Sequence, residues 1–170
     1  MKNLTFTLSF LLLTTFSFTQ EWKTLDEENY LIEYPENWEV NTSGAMNTQV
    51  ILFSPIVSKE DLFRENVNYI IQDLSEYKVN LDQYVEASEK QVETLVVNGK
   101  ILESERLENK NGTYHKLIYT GTQGLFDLQF MQYFFVKDNI AYVLTFTCEI
   151  DQVESYQKTG ERILNSFLLK

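Results

Sequence analysis

The sequence predicts an α+β fold: an antiparallel β-sheet of six or more strands sandwiched by helices. Three observations carry that expectation. Long segments rich in β-branched and aromatic residues follow one another from Ile101 to Cys148, separated only by short polar turns, and connections this short force antiparallel neighbours. Two other stretches, starting near Leu81 and Asp151, repeat their apolar residues at helical spacing. Finally, the runs Phe126 to Val136 and Ile140 to Cys148 are apolar at both odd and even positions, so the sheet needs cover on both faces.

Taken in chain order, the first segment is a leader rather than part of the domain. Lys2 precedes an apolar run from Leu4 to Phe18, and Ser17 and Thr19 supply the small residues of a cleavage site. Residues 1–19 are therefore expected to be a signal peptide, with Gln20 opening the mature chain. Thr5, Thr7, Ser9, Thr14 and Thr15 interrupt the run, which is shorter than the roughly 20 residues that span a bilayer. No cysteine lies nearby to carry a lipid. The expected product is exported, periplasmic or extracellular, with no stable membrane anchor after cleavage, and residues 20–170 form one domain.

Within that domain, Tyr30 to Tyr34 and Val50 to Ser54 read as short strands, each closed by a proline, Pro35 or Pro55, whose ring removes a ladder donor. Val67 to Gln72 is a third. A helix then starts at Leu81 and spaces Leu81, Tyr84, Val85, Val92, Leu95 and Val96 along one face; Asn80 and Gln83 form a capping box, and Gly99 follows its end. Four strands follow: Ile101 to Leu107, Thr113 to Thr120, Leu125 to Val136 and Ile140 to Cys148. Asp151 caps the second helix, which sets Val153, Tyr156, Ile163, Leu164 and Phe167 on a face shared with Gly160. A glycine there costs about 1 kcal/mol of helix propensity, so it predicts close approach of helix to sheet.

Composition excludes several functions. With 14 basic and 25 acidic residues the net charge is −11, and losing Lys2 with the leader makes the domain more negative still. Nucleic acid and anionic membrane surfaces are repelled. The single cysteine, Cys148, cannot close an internal disulfide, so the core alone must hold the fold. Aromatic residues make up 14% of the chain, which fits a packed sheet and not a disordered segment.

Tyr30-Leu31-Ile32-Glu33-Tyr34-Pro35-Glu36-Asn37-Trp38 and Asn66-Val67-Asn68-Tyr69-Ile70-Ile71-Gln72-Asp73-Leu74 carry a family resemblance. The first is similar to the strand, Tyr-Pro pair and following Trp of the PsbP-like superfamily, and the second to its Asn-Val-Asn-Val strand. The order of the remaining elements matches as well. The resemblance implies a PsbP-like α-β-α sandwich over residues 20–170 and membership in a group of binding and assembly factors with no shared catalytic set. Tyr34, Pro35 and Trp38 are then a structural motif, with Trp38 folding back over the sheet edge.

Candidate chemistry is sparse. His115 is the only base of its kind available to Cys148, yet the two fall in strands that are not neighbours in the meander, and a lone strand cysteine is ordinarily a small buried hydrophobe. Too few Cys and His exist for a structural zinc site. Asp26-Glu27-Glu28 and the Glu103/Glu105 pair are candidate calcium carboxylates without loop spacing to match. Gly121-Thr122-Gln123-Gly124 is a hairpin, not a phosphate loop. Asn41-Thr42-Ser43 and Asn111-Gly112-Thr113 match the glycosylation pattern. No catalytic, cofactor or metal residue is assigned. The expected function is non-enzymatic binding or assembly, the partner being a protein or a small apolar ligand. An exposed aromatic patch is anticipated near the Gly44–Gln49 or Pro55–Glu65 loop. The alternative is a carboxylate-based secreted hydrolase, which needs two acids at one pocket with one pKa raised by burial.

Overall fold

Tight turns and alternating runs build the molecule. In the computed structural model, which describes residues 20–59 and 61–170, strand β1 (Trp22–Asp26) pairs antiparallel with β2 (Tyr30–Pro35). The leader expected over residues 1–19 lies outside the described residues. The chain continues through β3 (Glu39–Asn41), a 3-10 turn at Ala45–Asn47, β4 (Thr48–Phe53) and β5 (Asn66–Asp73). Helix α1 (Leu81–Leu95) leads into the meander β6 (Lys100–Asn109), β7 (Gly112–Gln123), β8 (Phe126–Lys137) and β9 (Ile140–Glu149). A 3-10 turn at Ile150–Gln152, helix α2 (Val153–Ser166) and the short strand β10 (Leu168–Leu169) complete it.

The main sheet has seven strands in the order β3-β4-β5-β9-β8-β7-β6, and each neighbouring pair is antiparallel. Helix α1 carries the chain across one face, from central β5 to the edge strand β6. On that face Val85 and Val92 pack on Leu117, Tyr119, Phe134 and Val143. On the other face Ile163 and Leu164 of α2 close the larger core over Leu52, Tyr69, Met131, Leu144 and Phe146. The α-β-α sandwich read from the sequence is present.

Helix ends and turns follow local chemistry. Asn80 Oδ1 accepts from the Gln83 amide at 3.0 Å while Gln83 Oε1 accepts from the Asn80 amide at 3.0 Å, completing the capping box. The β8–β9 hairpin places Asp138 and Asn139 at φ of 52° and 59°, as the twist-matched two-residue turn requires. At Gly160 an added Cβ would lie 2.5 Å from the Phe146 ring, so the glycine does allow α2 to rest on β9.

The strand expected at Tyr30 to Tyr34 is present as β2, the centre of a second, three-stranded sheet ordered β1-β2-β10. Two expectations need correction. Asp151 does not cap α2, because the 3-10 turn takes up Ile150–Gln152 and Gln152 occupies the cap without a side-chain bond. Leu95 leaves the packed face of α1 and is 76% exposed at the fraying end. Besides the shared core, one amide ties the small sheet to the meander: Asn111 Nδ2 donates to the Phe167 carbonyl and Asn111 Oδ1 accepts from the Leu169 amide, both at 2.9 Å.

Candidate functional site

Helix α1 covers only half of its face of the main sheet. The other half, towards the far ends of β5, β8 and β9, is an open groove of about 580 Å³, within the usual range for ligand sites. Strand alternation sends Asn66 and Asn68 into it from β5, while Val67 and Tyr69 enter the opposite core. Thr145 and Thr147 do the same from β9, and Gln132 from β8. Register sets Asn66 opposite Thr147 and Asn68 opposite Thr145, so polar side chains from adjacent strands form the floor.

The walls are aromatic. Tyr119 stacks on Phe130 with centroids 4.7 Å apart, and Phe63 meets Phe126 at 5.2 Å. Phe63 is brought there by its neighbour Arg64, whose Nε donates to the Ser54 carbonyl at 2.6 Å and whose Nη1 meets Glu39 Oε2 at 2.8 Å. Met46 closes the rim with its side chain 79% exposed and its backbone left-handed at φ 53°, a conformation rarely adopted by a long apolar residue. The lining carries no charge. Gln132 Nε2 donates to Thr145 Oγ1 at 3.1 Å and Asn66 Nδ2 to the Arg64 carbonyl at 3.0 Å. Among the described residues Asn68 and Thr147 make no side-chain hydrogen bond, leaving an amide and a hydroxyl free for a ligand. Both loops where an aromatic patch was anticipated meet here, through Met46 and Phe63.

Beyond the groove the strand end turns acidic. Glu149, two residues past Thr147, lies with Asp151, Asp61 and Glu65 on a second pocket of about 320 Å³. Glu65 is only 3% exposed; burial raises its carboxyl above the ordinary range although Ser54 Oγ donates to it at 3.1 Å. Glu149 is raised by burial and then by the negative charges of Asp151, Glu65 and Asp61. Here the structure does bring carboxylates together, a convergence that surface-patterned acids in the sequence gave no reason to expect.

The remaining candidates separate. Cys148 points into the α2-side core and burial pushes its thiol up to about 12, whereas His115 lies under α1 on the opposite face, so the two cannot act together. His115 Nε2 instead sits 2.8 Å from Ser104 Oγ, which donates to Glu89 Oε1 at 2.5 Å. Glu103 is engaged by Lys116 at 2.8 Å and Asp26 by Lys170. Among the described residues no group of three or more His, Cys, Asp or Glu is placed to hold a metal ion. Tyr34 and Pro35 lie on β2, and Trp38 is buried with its ring 6.5 Å from Tyr156 of α2, sealing the passage to edge strand β3. The groove residues went unnoticed in the sequence, although Asn66 and Asn68 alternate with apolar neighbours, and Thr145 and Thr147 break an otherwise apolar strand.

An antiparallel sheet covered by one helix on each face, with an uncharged groove open beside α1, defines an α-β-α sandwich. A model of the family described as PsbP-like protein matches residues 14–169, and the chain belongs to that family. Among solved structures it is similar to the cyanobacterial PsbP, CyanoP, of Synechocystis sp. PCC 6803, with a TM-score of 0.64 at 13% identity over 93% of this chain and 99% of that one. It is also similar to PA94, a protein of unknown function from Pseudomonas aeruginosa, at 0.60 and 14% over 88% and 97% of the two chains. LpqN of Mycobacterium tuberculosis, involved in cell envelope biogenesis, gives 0.59 at 7% over 88% and 91%. No curated protein matches.

Proposed function

We propose that this PsbP-like protein is an exported, non-enzymatic binding or assembly factor whose groove receives a neutral part of its partner. The observation that carries the reading is the pairing of aromatic walls with unengaged polar groups at Asn68 and Thr147 in an uncharged cleft. Such a surface gains by burying apolar area and loses little by desolvation. The resemblance to LpqN adds an envelope setting, and no helix among the described residues is long and apolar enough to cross a membrane.

The test is affinity capture from the native envelope and medium with the purified protein and, in parallel, a Thr147→Trp variant that fills the groove. Molecules held by the parent and released by the filled variant are the expected result. Identical capture by both removes the groove from the function.

A second reading, hydrolysis by paired carboxylates, draws on the raised pKa values of Glu65 and Glu149. It requires a hydrolytic activity abolished by Glu149→Gln. Glu65, nearly inaccessible and already bonded to Ser54, is poorly placed to touch a substrate, which is why binding is preferred.

A further inference from the structure

The groove does not end in bulk solvent. Phe126, on its wall, also lines a smaller depression with Leu125, Ile150, Asp127, Glu149 and Asp151, and the last two acids continue into the pocket holding Asp61 and Glu65. The three cavities thus form one band that leaves the α1 face and wraps around the end of β9 towards α2. Its character changes along the way. The start is aromatic and uncharged; the middle is edged by Leu125, 93% exposed, and the half-exposed Ile150; the far end is lined by four carboxylates and, among the described residues, by no Lys or Arg.

Several of the exposed large apolar side chains fall in the same region. Ile56, Val57, Leu62, Leu125 and Ile150 are all large, apolar and open to solvent, and all lie on the connections at this one end of the sheet, while Met46 reaches the groove from the β3–β4 connection. Exposed apolar side chains gathered at one end of a domain mark a contact site. The adjoining acids decide what kind of contact. Burying the cluster against an anionic or acidic partner would add repulsion where four carboxylates already share one pocket and Glu149 is raised first by burial and then by Asp151, Glu65 and Asp61. A cationic group over Asp61, Glu149 and Asp151 removes that repulsion, and complementary charge also speeds and orients encounter.

Resting on the groove reading above, we propose that the band binds an extended polypeptide segment of a partner protein, an apolar or aromatic side chain entering the groove and Lys or Arg residues further along meeting the acidic pocket. A neutral anchor and a basic flank on one strand of chain match the change in lining from Phe63 to Asp61. The unengaged Asn68 and Thr147 bond main-chain groups of the segment, which any peptide offers.

The experiment is selection of a displayed library of random peptides, each about twelve residues and so reaching roughly 40 Å when extended, on the purified protein. Parallel selections use Thr147→Trp and the double variant Asp61→Asn/Asp151→Asn, each first shown by thermal unfolding to be folded. Met46→Ser, on a loop, serves as a second groove variant should Thr147→Trp fail to fold. Peptides carrying an aromatic or aliphatic anchor followed by Lys or Arg are expected to enrich on the parent. Their affinity should fall roughly tenfold on the charge-neutralised variant and weaken with added salt. Peptides that depend on the groove but are neutral or acidic would overturn the cationic inference and leave the groove reading intact. Basic peptides that bind equally to Asp61→Asn/Asp151→Asn would overturn it too. Absence of groove-dependent peptides, or retention of zwitterionic phosphatidylcholine vesicles in their place, defeats the peptide proposal, the latter assigning the apolar rim to lipid.

Discussion

Two single residues carry tests of how closely this molecule is fitted. Gly160 touches Phe146 so tightly that a methyl group has no room. On an isolated helix, Gly→Ala would help by about 1 kcal/mol; here overpacking outweighs it, and Gly160→Ala should lower stability by about 1–3 kcal/mol in urea unfolding. His115 tests the other core. Ser104 has one hydroxyl hydrogen and gives it to Glu89, so His115 must donate through Nε2, leaving Nδ1 buried without a partner among the described residues. Burial first, and the charge of Arg106 second, hold its pKa below the ordinary value, against the opposing pull of Glu89, Asp82 and Glu105. The folded state therefore binds the proton less readily than the unfolded chain. Its contribution to stability is complete above pH 6.5 and is lost as pH falls through the lowered value. Comparing urea midpoints of the parent and His115→Gln between about pH 8 and 5 should show the variant gaining on the parent as the solution is acidified; a constant difference would refute this.

At the scale of elements, what the sequence revealed depended on length and locality. The meander was legible because its strands are long and its turns short, with polar residues such as Asp138 and Asn139 at the hairpin positions that need positive φ. Helix α1 was legible because Asn80 and Gln83 are three residues apart and act on each other; Asn80→Ala should cost about 1 kcal/mol, read as a lower urea midpoint. The start of α2 was misread because Asp151 and Glu154 have capping-box spacing, but the chain leaves β9 through a 3-10 turn that consumes the first of them. Strands β1, β3 and β10 span five, three and two residues, too few for a period to register. The small sheet also joins the chain's beginning to its end, a pairing that no local pattern encodes.

For the whole molecule, the candidate site shows the same limit. Its residues lie in four separated stretches, from Met46 to Thr147, and the registers of β5 on β9, β9 on β8 and β8 on β7 set the strand residues side by side. The asymmetry of the cores was equally hidden. Phe167, expected on the helical face of α2, is the residue just past its end, and its ring still sits 4.7 Å from Tyr69 and 6.0 Å from Tyr30. It therefore joins α2, the main sheet and the small sheet at one point. Truncating a buried phenylalanine costs about 3–5 kcal/mol, a large part of the 5–15 kcal/mol that holds a typical domain together. Phe167→Ala should unfold at much lower urea, with hydrogen exchange rising first along β1 and β2.

The clasp formed by Asn111 bears on how the protein can be produced. Asn111-Gly112-Thr113 is an acceptor sequence for N-linked sugar, and the nitrogen to which that sugar attaches is the one that donates to the Phe167 carbonyl. In a yeast or mammalian secretion line the oligosaccharyltransferase would meet this hairpin before the C-terminal strand has docked, and a glycan added then would occupy the berth of that strand. Such hosts should secrete a heterogeneous, poorly folded fraction. Replacing Thr113 with Val abolishes the acceptor and leaves the Asn111 amide in place, and it should restore a uniform product.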